Sequence, residues 1–215
     1  MTELLIKGTF DTLYIVSMST LFALLGGLPI GVLLTVWKKD GIAPFVYGEK
    51  FLSGIVNTVR SIPFIILIIA LFPFTRLIVG RSYGIQASIV ALVVGAIPFV
   101  ARLVESALAE VDEGLIKAAI TMGATPWQIV SKVYVVESVP ALIRLVSLTM
   151  ITLVGYAAMA GVVGGGGLGD IAIRYGLHRY QTDIMLITIV IMVIMVQLIQ
   201  SSFHFIANRL DRRRA

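Results

Sequence analysis

Five apolar runs, each long enough to cross a hydrocarbon core, limit what this chain can become. They lie near 12–36, 55–79, 84–104, 141–163 and 184–206. A helix needs about 20 apolar residues to span a bilayer. Inside lipid the backbone must satisfy its own hydrogen bonds, so such runs become helices. The chain is therefore expected to be an all-α integral membrane protein with five transmembrane helices. Composition agrees: 58% of the 215 residues are hydrophobic, only 13% are charged, and mean hydropathy is +0.99. Soluble domains carry nearer about 25% charge. The first run is too long and too weakly basic at its start for a cleaved signal peptide, and is expected to stay.

Charge orients the runs. With the N-terminus outside, twelve of the seventeen Lys and Arg fall on the inner side, including Lys38, Lys39, Arg102, Lys117, Arg209, Arg212, Arg213 and Arg214. The other five are Lys7, Arg76, Arg81, Arg174 and Arg179. That asymmetry predicts an outer N-terminus and a cytoplasmic C-terminus. It also explains the pI near 9.6 without nucleic acid, because the basic residues anchor helix ends.

The longest polar interruption, 115–140, then faces the cytoplasm. Ala118, Ala119 and Gly123 are small enough to let another surface approach the backbone. Thr125-Pro126-Trp127-Gln128 reads as a helix start, with Thr125 as N-cap, Pro126 at the first helical position and Gln128 closing a capping box. Two short helices are expected, with a bend at Gly123.

Within the spans, Gly26, Gly27, Pro29 and Gly31 suggest a helix-packing face with a bend at the proline. Arg60 can snorkel to the inner surface, while Ser61 and Pro63 disturb the helix beside it. These three fit an anchor or the lining of a path equally well. The fourth run is smooth, rich in Ser, Thr, Gly and Ala around Tyr156, and Met159 is its one long flexible side chain. Met159 can fill a core or project into a conduit. Gln197, Gln200, Ser201 and Ser202 are expected to bond between helices.

Several chemistries are excluded. The 164–169 glycine run lacks the Lys-Ser or Lys-Thr of a phosphate loop and follows no strand. Carboxylates are not paired in the spans, no Ser-His constellation exists, and Cys is absent. His178 and His204 are isolated, which argues against a metal site. Asp11, Glu105, Asp170 and Asp183 all sit at span ends, which weakens an ion-coupled carrier. What remains is a membrane subunit driven by another protein.

Lys117-Ala118-Ala119, three residues, Gly123, nine residues and Val133-Tyr134-Val135-Val136 keep the spacing of a known loop signature. The stretch resembles the Glu-Ala-Ala…Gly…Ile-x-Leu-Pro loop of binding-protein-dependent ABC importer permeases, with Lys117 in place of the acid and Val136 in place of the proline. Segments 57–80, 123–130 and 152–170 are similar to the methionine-import permeases of that superfamily. The resemblance covers nearly the whole chain. It implies one transmembrane domain over 1–215, with a permease core at 12–206 and a cytoplasmic coupling-helix loop at 115–140. It implies a homodimer in the bacterial cytoplasmic (inner) membrane, bound to two copies of an ABC ATPase that uses ATP and Mg, with no cofactor on this chain. An extracytoplasmic methionine-binding protein would deliver methionine, L and D forms alike. Lys117, Ala118, Ala119, Gly123, Ala124, Thr125 and Pro126 match the coupling motif, and Ser61, Pro63, Tyr156 and Met159 are the expected pathway and gate positions.

Overall fold

The computed structural model describes residues 1–210, and Arg212, Arg213 and Arg214, counted above for orientation, lie outside them. Helix α1 runs Thr2–Val36, beginning ten residues before the apolar run that announces it. Its flank is grooved by Gly27 and Gly31, against which Val100 and Val104 of α5 (Ile85–Ala109) pack directly. This is the most extensive helix contact in the molecule. It bears out the packing role of these glycines, because small residues let two backbones close on one another. Pro29 is accommodated inside α1.

The expected second span is broken. Helix α2 (Val46–Ser61) stops at Ile62, and α3 (Phe64–Ala70) leaves at 100° to it. The cause is local. Pro63 cannot continue the hydrogen-bond ladder and pushes the residue before it into extended backbone, and Ile62 has φ −79° and ψ 124°. A further short helix, α4 (Phe72–Val79), ends on the left-handed Gly80. Among the described residues four helices are long and apolar enough to cross a membrane, or five if the bent α2–α3 pair counts as one span.

After α5 come α6 (Glu113–Thr121) and α7 (Pro126–Ile129), the two short helices expected around Gly123. The second does not stop before the fourth span. It passes through a π-helical stretch, Val130–Tyr134, into α8 (Val135–Gly161), so one helical rod covers Pro126–Gly161. At the far end come α9 (Gly167–Ile171) and a second π-helical stretch, Ala172–Leu177, and α10 (Thr182–Leu210) returns. The polar residues of α10 do not bridge helices as expected. Ser202 donates to the Leu198 carbonyl of its own helix, and Gln197 and Gln200 are exposed.

The glycine-rich turn after α8 closes that end. Gly84 N–H donates to Gly164 O, Ser88 Oγ to Gly165 O, and Leu168 N–H to Thr12 Oγ1. Helices α1 and α5 are thereby tied to this end. The glycine run, excluded from sequence as a phosphate loop, thus has a packing role here.

Candidate functional site

The bend at Gly123 is built from complementary caps. Asp112 accepts from Gly114 N–H to open α6. Gly123, at φ +76°, closes it: its N–H reaches Ile120 O at 2.9 Å and Ala124 N–H reaches Ala119 O at 3.1 Å. That pair of bonds is the Schellman stop, which places glycine in the left-handed conformation just past a helix. Thr125 Oγ1 then accepts from Gln128 N–H while Gln128 Oε1 accepts from Thr125 N–H, the predicted capping box, with Pro126 at the first turn.

Seven residues matched by motif are thus brought into one turn of defined shape. Ala119 and Ala124 pack against the core, whereas Lys117, Ala118, Gly123, Thr125 and Pro126 face outward. Around them two large apolar side chains are left in the open, Met122 at 87% and Trp127 at 77% exposure. Nothing lies within 4 Å of where a Gly123 side chain would sit. Exposed apolar side chains on a structured turn are what an interaction surface would require.

Helix α6 itself buries none of its residues, and a cleft of about 570 Å³ separates it from the turn carrying Lys38 and Asp40. Its one ion pair is internal: Lys117 Nζ lies 2.8 Å from Glu113 Oε2, four residues back. The hydrogen bond between them, with their mutual attraction, raises the Lys117 pKa and lowers that of Glu113. Glu before Lys at this spacing, with the acid in the first turn, is the favourable order.

The predicted pathway residues gather elsewhere. Ser61 donates to Asn57 O at 2.8 Å, and with Ile62 and Pro63 it forms the exposed corner of the broken span. Phe64, immediately after the corner, stacks on Tyr156 of α8 with centroids 4.2 Å apart and planes 4° from parallel. Phe64 carries no motif, and its role was invisible because its partner lies 92 residues away in sequence. Beyond Tyr156, α8 is two-faced. Ser147, Thr149, Ala157, Ala160 and Gly161 are buried, whereas Arg144, Leu148, Gly155, Met159 and Val162 form an open stripe. Met159 is 47% exposed, so this chain does not use it as core filling.

A family model described as "Binding-protein-dependent transport system inner membrane component" matches residues 27–215. The chain belongs to that family. Among curated relatives it is 49% identical over 212 residues to a "Probable D-methionine transport system permease protein" of Vibrio cholerae, covering 99% of this chain and 94% of the relative. It is 51% identical over 161 residues to the D-methionine transport system permease protein of Escherichia coli K12, covering 75% and 74%. A solved chain of the MetNI methionine ABC transporter, in inward-facing conformations, superposes with a TM-score of 0.97 at 48% identity, covering 99% of this chain and 98% of that one. As an inner membrane component of this family the protein is a multi-pass membrane protein. Its Gly123 turn and its broken second span are two of the places where it departs from plain packed helices.

Proposed function

We propose that this chain is the permease subunit of an ATP-driven importer that carries methionine, in D or L form, across the inner membrane. The observation that carries the reading is the apolar, fully formed Met122–Trp127 turn, presented without a covering element and joined rigidly to α8. A membrane protein moved from outside needs such a handle. The near-complete likeness to D-methionine permeases and to a methionine ABC transporter chain supplies the cargo.

In this reading two copies form the pathway. Each docks its 115–140 loop on one of two ATPase subunits, which bind ATP and Mg, while this chain binds no cofactor. Lys117, Ala118, Ala119, Gly123, Ala124, Thr125 and Pro126 form the docking turn. Ser61 and Pro63 at the broken span, with Tyr156 and Met159 on α8, border the path within the 12–206 core. The N-terminus lies outside and the C-terminus inside. An external binding protein delivers methionine at the Gly164–Gly169 end. The likeness to an inward-facing chain supports assigning the present arrangement to the state open to the cytoplasm.

The test is reconstitution. Vesicles containing this chain, its ATPase and its binding protein are expected to accumulate labelled methionine only with ATP. Chain alone under an imposed ion gradient should accumulate none. Gradient-driven uptake without ATP would sink the proposal, and competition by other amino acids would redraw the cargo.

A further inference from the structure

Helix α2 is the inner arm of the broken span, yet it buries a single residue, Val56, against Leu34 and Ala101. So small a contact is weak support for an arm held at 100° to its continuation. Beside the half-buried Leu52 and Val59, the polar attachment to α5 is a single guanidinium. Arg102 of α5 donates to the Ser53 carbonyl at 3.3 Å, to Ser53 Oγ and to Asn57 Oδ1 at 3.0 Å, all on α2. It also pairs with Glu105 one turn along α5, and Glu105 is held in turn by Lys38 at 2.8 Å from the turn after α1. One chain of alternating charge therefore joins the ends of α1 and α5 to the middle of α2.

An arginine at the inner end of a span ordinarily extends its head toward water and headgroups. Arg102 does the opposite. Its side chain is only 19% exposed, and its donors turn inward onto four acceptors. The rigid fork of arginine suits such multiple bonding, and lysine cannot reproduce it. The two Arg102 acceptor groups on α2 are one turn apart, so any swing of α2 against α5 must release them together.

We infer that Arg102 is a positioning residue, a latch that holds the inner arm of the broken span in the conformation seen here and lets go when the transporter changes state. The inference rests on the importer reading for its consequence in transport, but the latch itself is tested independently. The chain has no cysteine, so Thr58→Cys on α2 and Ser106→Cys on α5, both exposed, accept spin labels uniquely within it.

In the assembled complex with its ATPase, with labelled chain diluted into unlabelled chain so that one copy carries the pair, the nucleotide-free parent should give one narrow label distance. Arg102→Gln should broaden or shift that distance without nucleotide, as expected for a roughly tenfold loss in the latched-to-released ratio when charged hydrogen bonds are removed. Methionine moved per ATP should fall in parallel. Arg102→Lys should restore only part of both. The pair Ser53→Ala with Asn57→Ala removes acceptors from the other side and should shift the distance in the same direction. That pair decides the matter if Arg102→Gln fails to assemble. An unchanged narrow distance overturns the latch, and a changed distance with unchanged methionine per ATP overturns its part in transport. Should the parent complex hydrolyse ATP and move no methionine, the importer reading fails while the distances still decide the latch.

Discussion

Gly123 shows how much one residue can state about a partner. Its φ of +76° costs a side-chain-bearing residue about 1–2 kcal/mol, yet the space above it is empty. Gly123→Ala is therefore expected to lower stability by that amount and leave ATP-driven uptake measurable. Gly123→Leu should fold nearly as well and lose uptake, because the added bulk meets the docked ATPase; equal uptake by both variants would count against docking there. Met159→Ala makes the complementary case. With half its surface open it should change stability by less than about 0.5 kcal/mol while raising ATP turnover in the absence of methionine. A loss nearer 2–5 kcal/mol with unchanged turnover would return it to a packing role. Lys117 is paired within α6, and because its partner's pKa is depressed, the pair's support for the helix is present at neutral pH and lost as pH falls through that lowered value. Gly123, Thr125 and Pro126 were legible in sequence because caps are local. Arg102 was legible only as a charge, because its α2 acceptors lie 45 and 49 residues away.

At the scale of elements, hydropathy locates the spans but not their breaks. The run 55–79 is apolar enough to read as one span despite Asn57, Arg60 and Ser61, and its hydropathy does not give a 100° turn; the stereochemistry of Pro63 does. In the same way a capping box announces where α7 starts and is silent about where it ends, so its continuity with α8 emerges only in three dimensions. Helix α6 has no buried residue, which places it at the low end of local stability. Its amides should exchange with solvent within the fastest class in the isolated chain and become protected when the ATPase binds. Protection equal to that of α5 in the free chain would contradict this. Phe64→Ala should remove an aromatic stack worth about 0.5–1.5 kcal/mol beyond its buried area and loosen α3 from α8, seen as increased exchange confined to 64–70.

For the whole molecule, the long apolar segments and their order follow from hydropathy, but the way they break and interlock does not. Gly169 is a case in point: a Cβ there would stand 2.6 Å from the Ala158 Cα, backbone against backbone. Gly169→Val should therefore destabilise the assembled bundle by about 1–3 kcal/mol, visible as a lower melting temperature of the detergent-solubilised complex. The same fold carries a mechanical consequence in its longest continuous helix. Trp127 and Met159 stand on one continuous helical rod, Pro126–Gly161, separated by 32 residues or about 48 Å at 1.5 Å per residue. A rod of that length is a lever arm. If one end is tilted by about 5°, the other sweeps through about 4 Å, enough to carry a thioether side chain out of a narrow opening. If Met159 borders the path as proposed, the stroke there is set by leverage, and a slight tilt at the Trp127 end becomes a displacement of several ångströms at the other.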